Sequence, residues 1–286
     1  LGADDAAIFK SVYGLDKPQV FEHGFVLHMP LAPAQAALAL KMPAGELESR
    51  LAGMRRKLLA ARDGRDPLRR DDKVLASWNG LMIRALARGG RALERPEYLE
   101  RAAQAARFVL SEMRDEQGRL TRTHRAGQAR LNAYLEDYAI VVDGLLALYD
   151  ATQDGQWLAA ARRLTDEQIA LFWDEQGKGF FYTSHDHEGL IARMKEAHDS
   201  VLPAGNSVSA GNLVRLAQLT GDESYRTYAR DTLALFAPGM KDGRSTSSRM
   251  ALALAAWLKV EPAAPAEQGK TPVALAEETE STDDEN

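Results

Sequence analysis

Residues 78–123 begin WNGLMIRALARGGRALERPEYLERAAQAARFVLSEM, and residues 137–182 begin DYAIVVDGLLALYDATQDGQWLAAARRLTDEQIALF. The two stretches match at an offset of 59. Asp115-Glu116-Gln117-Gly118 recurs as Asp174-Glu175-Gln176-Gly177, while Leu86 falls on Leu145, Ala92 on Ala151, Tyr98 on Trp157 and Ala102 on Ala161. A third copy follows 68 residues later, with Leu213, Tyr225 and Ala229 at the same register. A period near 60 residues in an apolar-patterned chain means one supersecondary unit used several times.

Each unit reads as a helix, a short break, a second helix and an extended loop. WNGLMIRALARGGRAL, YAIVVDGLLALYDAT and SAGNLVRLAQLT carry apolar residues at helical spacing. The breaks ERPEYL, QDGQWL and GDESYR contain Pro96, Gly155 or Asp222, the residues that stop and restart helices. YLERAAQAARFVLSEM, WLAAARRLTDEQIALF and YRTYARDTLALF supply the second helices, each opened by an aromatic residue that pins the hairpin. Residues 46–62 and 244–258 read as two more helices. The loops DEQGRLTRTHRAG and DEQGKGFFYTSHDHEGL alternate and contain glycine, as short strands or β-turn pairs do.

Helical hairpins stacked at this period make an all-α solenoid or toroid. A toroid is expected, because Ala139 to Leu146 is small or apolar on most sides, as an inner ring requires. The division expected is an N-terminal segment over 1–45, a helical-hairpin domain over 46–260 and an acidic tail over 261–286. That tail holds eight acidic residues and one lysine and lacks aromatics, so it reads as disordered.

Composition narrows the function classes. The chain has 286 residues, 45% of them hydrophobic and 27% charged, and no cysteine. Disulfide scaffolds, thiolate metal sites and thiol redox chemistry are thereby excluded. The net charge of −5 lies in the tail, which leaves the body near +2 and gives no electrostatic case for nucleic acid. No apolar run approaches the ~18 residues that span a membrane. With no export signal visible, the expected compartment is the cytoplasm.

The repeat register brings three polar segments to one level at the starts of the inner helices: DDKVLASWN (71–79), YLEDY (134–138) and DSVLPAGN (199–206). Two carboxylates in different environments can divide into acid and base. Asp72, Glu136, Asp137 and Asp199 are therefore candidate catalytic groups, and His124 and His198 candidate bases tuned near neutrality. Lys73, Asn79, Tyr134 and Asn206 are candidate hydroxyl binders, and Trp78 and Tyr138 offer ring faces. The same residue types also cap helices and suit the helix dipole. His185-Asp186-His187 has no third ligand at metal spacing, so no metal is expected. Neither a phosphate-binding glycine fingerprint nor a G-x-S-x-G elbow is present, and no cofactor is expected.

DDKVLASWNGLMI (71–83), YLEDYA (134–139), GFFYTS (179–184) and LPAGNSV (202–208) together resemble the YyaL family of spermatogenesis-associated, thioredoxin-domain-containing proteins. The resemblance runs from about residue 1 to 260. It implies a thioredoxin-like domain followed by an (α/α)6 toroid similar to those of sugar epimerases and six-hairpin glycosidases. The thioredoxin-like domain is absent from this sequence. About eight helices are expected in the body against the twelve of a full toroid, so an incomplete ring is expected, its missing helices upstream. Where the family has Pro-Ser-Gly-Asn, this chain has Pro203-Ala204-Gly205-Asn206, one hydroxyl fewer. The implied activity is acid–base chemistry on a small carbohydrate, by an epimerase or isomerase or by a glycosidase. The alternative is a noncatalytic binding or scaffold domain once coupled to a redox module.

Overall fold

The structure, a computed structural model, describes residues 1–17, 19–21, 24–68, 70–187, 191–241 and 247–260. The acidic tail expected over 261–286 lies outside them. The chain forms two compact units that divide between Asp71 and Asp72.

The first unit contains α1 (Ala3–Val12), an antiparallel pair β1 (Gln19–Phe21) and β2 (Gly24–Val26), α2 (Pro33–Ala39) and α3 (Ala44–Asp63). Leu47, Leu51 and Met54 recur at helical spacing on α3 and pack with Phe9 and Val12 of α1 and Ala36 and Ala37 of α2. An Asp5–Arg50 ion pair of 2.7 Å joins α1 to α3. Sequence reading placed α3 with the toroid, from residue 46. Its apolar stripe instead completes the N-terminal core, which moves the boundary to residue 71.

The second unit holds β3 (Val74–Leu75), α4 (Ala76–Ala92), α5 (Pro96–Glu112), β4 (Thr121–Arg125), β5 (Gln128–Asn132), α6 (Leu135–Thr152), α7 (Gly155–Phe172), α8 (Gly205–Thr220), α9 (Glu223–Lys241) and α10 (Ser248–Val260). Three hairpins pair α4 with α5, α6 with α7 and α8 with α9, while α4, α6, α8 and α10 pack in succession as an inner row. The expected register therefore holds. The architecture is all-α apart from short strands, as expected for a toroid of helical hairpins.

Local chemistry sets the helix ends. Pro96 occupies the first turn of α5, where its missing N–H costs nothing. Asp154 accepts from the Gln156 N–H at 3.1 Å to cap α7, and Asp222 accepts from the Ser224 N–H at 2.9 Å. Gly221 ends α8 in the left-handed region, at φ +70°. Burial separates the rows: α6 and α8 are buried around most of their circumference, whereas α5 buries Ala102, Ala106 and Val109 on one face.

The two inter-hairpin loops differ. The first forms β4 and β5, with β3 added on the outer side of β4 in an antiparallel sheet. In the second, the described residues form only a single bridge, Trp173 to Phe180. Lys178 and Gly179 both take positive φ, which breaks the extended backbone. Asn206 then occupies both the N–H and the carbonyl of Phe180, so neither is left for a ladder.

The closest approach in the inner row is backbone on backbone. A methyl group at Gly80 would sit 2.7 Å from the Ile140 carbonyl, and one at Gly144 would sit 2.7 Å from the Gly80 oxygen. These glycines let α4 and α6 touch. Gly80→Ala is expected to cost about 1–3 kcal/mol through overpacking, a melting temperature lower by roughly 2–10 °C. Gly89→Ala on the same helix meets nothing closer than 3.9 Å and should be neutral or stabilising. Equal melting temperatures for the two variants would contradict this packing.

Candidate active site

The start of α6 is organised by Asp137, which has 0% of its surface exposed. Its Oδ1 accepts from the Ser77 N–H in the first turn of α4 at 3.2 Å. Its Oδ2 accepts from the Tyr134 N–H at 3.0 Å and from Arg122 on β4 at 3.0 Å. Burial raises the carboxyl above the ordinary aspartate range, against the pull of Arg122 and the two backbone donors. The side chain joins three elements and has no face turned to a ligand. Tyr138, 1% exposed, is also structural: its hydroxyl accepts from the Leu120 N–H and its ring packs edge-on against Phe172, 5.5 Å away. It offers no face to a sugar ring, contrary to expectation, because the helical register turns it into the core.

At the start of α8 the same economy recurs. Asn206, 0% exposed, accepts from Phe180 N–H and donates to the carbonyls of Phe180 and Glu196, each at 2.9 Å. Gly205 is required by space, since a methyl group there would lie 2.7 Å from the Leu135 side chain and 3.2 Å from the Glu136 nitrogen. Asp199 accepts from the Ala204 N–H at 2.9 Å and from the Arg249 N–H at 2.7 Å, which ties the loop to the first turn of α10. Ala204 is the N-cap of α8 and makes no side-chain cap. The hydroxyl absent from this motif is thus a capping group by position.

Between these two helix starts lies a pocket of ~170 Å³, lined by Glu136, Tyr182, Glu196 and His198 together with the Ser200–Asn206 loop. Arg122 donates to Glu136 Oε1 at 3.0 Å, and the Tyr182 hydroxyl lies 3.5 Å from the same oxygen. Tyr182 stacks on Tyr134 at 4.8 Å, and the Arg122 guanidinium covers the other ring at 4.7 Å. Burial, with Glu136 nearby, pushes the Tyr182 hydroxyl up to about 12, so it is a hydrogen-bond donor at neutral pH. The pocket therefore offers two carboxylates, an imidazole and a phenol.

Of the residues chosen from sequence, Glu136, His198 and Asn206 line this pocket, and Tyr134 supports its wall. Asp72 is exposed and pairs with Arg125 at 2.5 Å. Trp78 is 61% exposed, and Asn79 donates to the Leu75 carbonyl at 2.9 Å. His124 packs edge-on against Phe108 at 5.1 Å. These four and the exposed Lys73 do not line the pocket. Asp186 is ion-paired with Arg119, and the described residues contain no cluster of three or more groups able to hold a metal. Sequence reasoning missed Arg122, Tyr182 and Glu196. Tyr182 sits inside the GFFYTS motif, which was the available signal; Arg122 and Glu196 carried none.

Two consequences can be measured. Asp137→Ala strands three donors, one of them charged, and should cost about 3–5 kcal/mol, a fall in melting temperature on the order of 10 °C. Glu136→Gln leaves Arg122 paired with Asp137 and should shift melting by a few degrees at most; similar losses for both variants would refute the division of roles. Separately, Ala204→Ser restores a cap and should stabilise by about 1 kcal/mol, visible as a raised urea midpoint with unchanged slope. A destabilised variant would mean that the position is not a cap.

No family model matches the chain. Spermatogenesis-associated protein 20 of Mus musculus is 40% identical over 195 residues, covering 65% of this chain and 25% of its own length. The chain thus spans about a quarter of the curated relatives it matches. Among solved structures, an unsaturated glucuronyl hydrolase specific for heparin aligns with a TM-score of 0.52 at 14% identity, over 68% of this chain and 62% of that one. A D-mannose isomerase aligns with a TM-score of 0.50 at 18% identity, over 57% and 43%. These likenesses agree with the helical-hairpin toroid fold. No helix of the described residues is long and apolar enough to cross a membrane. The chain is similar to spermatogenesis-associated protein 20 over 195 residues, and its fold is that of the (α/α) toroid proteins.

Proposed function

We propose that the toroid unit binds a single sugar ring between the starts of α6 and α8 and carries out acid–base chemistry on it, as an isomerase or epimerase. The observation behind this reading is the convergence of Glu136, Tyr182, Glu196 and His198 on one pocket. Size favours one ring over a chain. At ~170 Å³ the pocket falls below the range of about 300–1,000 Å³ typical of drug-sized ligand clefts. A glycosidase has to hold sugars on both sides of the scissile bond, so the glycosidase reading ranks second. The same fold carries a D-mannose isomerase and an unsaturated glucuronyl hydrolase, which supports a carbohydrate ligand by analogy of fold.

In this mechanism His198 removes the proton from the carbon beside the open-chain carbonyl. The electron pair moves into the carbon–carbon bond, and the carbonyl oxygen becomes an enolate. The Tyr182 hydroxyl donates a hydrogen bond to a sugar oxygen. Glu136, oriented by Arg122, accepts a hydrogen bond from a sugar hydroxyl. Return of the proton by the His198 imidazolium to the neighbouring carbon, as the carbon-2 hydroxyl proton passes to the enolate oxygen, gives the isomer. Return to carbon 2 after the enolate has turned about its carbon 2–carbon 3 bond to present the other face gives the epimer.

A noncatalytic binding or scaffold module is the second reading. It draws on the engagement of Asp137, Asp199 and Asn206, all of which are used to bind backbone. The test is a thermal-shift panel of mono- and disaccharides, followed by incubation of the stabilising sugar in deuterium oxide. A monosaccharide should raise the melting temperature, since it binds the native state alone, and deuterium should appear at its carbon 2. His198→Asn should stop the exchange while retaining binding, and Glu136→Gln should lose both. Binding without exchange in the wild-type chain would sink the enzyme reading and leave the binding module; no shift with any sugar would sink the carbohydrate reading altogether.

A further inference from the structure

A second pocket, of ~190 Å³, lies along the inner row and shares no lining residue with the first. It is lined by Arg88 of α4, Asp143 and Asp150 of α6, Asn212 and Arg215 of α8, and Arg249 of α10. Asp143 Oδ1 pairs with Arg249 at 2.9 Å, and its Oδ2 lies 3.0 Å from Arg84 Nε. Asp150 pairs with Arg215 at 2.6 Å. Three guanidinium groups line the pocket beside two carboxylates, and Arg84, which does not line it but pairs with Asp143, adds a fourth, so the cluster as a whole carries a surplus of two positive charges.

The surplus is not relieved locally. Arg84 Nε is buried without a hydrogen-bond partner among the described residues, because Asp143 approaches at an angle too poor for one. Burial lowers the Arg84 guanidinium below its ordinary range; Asp143 opposes this, and the neighbouring charges of Arg249 and Arg88 add to it. Arg88 lines the pocket and makes no ion pair or hydrogen bond among the described residues. Like charges gathered without a counter-ion cost stability, and a bound anion removes that cost.

The chemistry of the donors narrows the anion. Guanidinium is a planar fork that meets phosphate oxygens two at a time. A phosphate monoester carries a charge of about −1.5 to −2 at neutral pH, which matches the surplus, whereas a single carboxylate leaves half of it. We propose that this pocket binds a phosphate group, free or carried by a small ester, through Arg88, Arg215 and Arg249.

The test is isothermal titration calorimetry of the chain with inorganic phosphate and with glycerol 3-phosphate at constant ionic strength, with glycerol as the uncharged control. Phosphate and its ester should bind and glycerol should not; tighter binding of the ester identifies an esterified ligand, and equal or tighter binding of inorganic phosphate identifies the free anion. Arg88→Gln removes a charge without breaking an internal pair, so its circular dichroism should be unchanged while affinity falls about tenfold. Arg215→Gln should weaken binding in the same direction. The proposal is overturned if neither phosphate compound binds, or if both bind the two variants as tightly as the wild type, which is the behaviour of nonspecific surface charge.

Discussion

The buried carboxylate of Asp137 is the constraint on which the arrangement of the second unit turns. It receives a backbone donor from the start of α4, another from the start of its own helix and a guanidinium from β4. A helix of an ordinary hairpin array needs only apolar contact with its neighbour. Here the first turns of α4 and α6 and the intervening sheet are fixed by directional bonds in a dry site, where an unmet donor is costly. The glycine contact between Gly80 and Gly144 then sets how closely the two helices lie. Together these leave the Glu136 side chain, one residue earlier, turned toward the pocket and braced by the same arginine.

Asn206 has the matching role one hairpin later. Its amide fastens Phe180 and Glu196 to the start of α8, and Asp199 fastens the loop to α10. The loop that carries Glu196, His198 and Pro203 is therefore held at both ends by side chains of the motif itself. Side chains engaged on backbone shape the pocket, while Glu136, Tyr182, Glu196 and His198 line it. In this arrangement the scaffold polar groups and the chemical ones are adjacent in sequence but distinct in partner. That distinction explains how one motif can be rich in acidic and amide groups without all of them being catalytic.

The hairpin register was legible because each copy repeats its apolar spacing and its stop signals, Pro96, Gly155 and Asp222 among them. The toroid row followed from Ala139 to Leu146, whose small and apolar residues are buried on nearly every side. The roles of the polar residues were harder to read, because an aspartate that caps and an aspartate that catalyses look alike in sequence. Asp137 and Glu136 are neighbours, yet only their long-range partners, 14 to 60 residues away, separate them. Tyr138 looked like a ring face until the register turned it inward. Tyr182 and Glu196 reach the pocket through loop geometry that no spacing rule encodes, and Arg122 reaches Glu136 from β4. The domain boundary was misplaced for a related reason: Leu47, Leu51 and Met54 show that α3 has an apolar stripe but not which neighbours it covers.

The central claim is that the pocket between the starts of α6 and α8 is the ligand site and that Asp137 and Asn206 hold its walls. A crystal structure of the chain grown with the monosaccharide that most stabilises it tests this directly. The account predicts one sugar ring within hydrogen-bond distance of Glu136, Tyr182 and His198, with Asp137 and Asn206 still bonded to the backbone groups described above. A sugar bound elsewhere on the unit, or a ring held by Asp137 or Asn206 after release of their backbone partners, would contradict it.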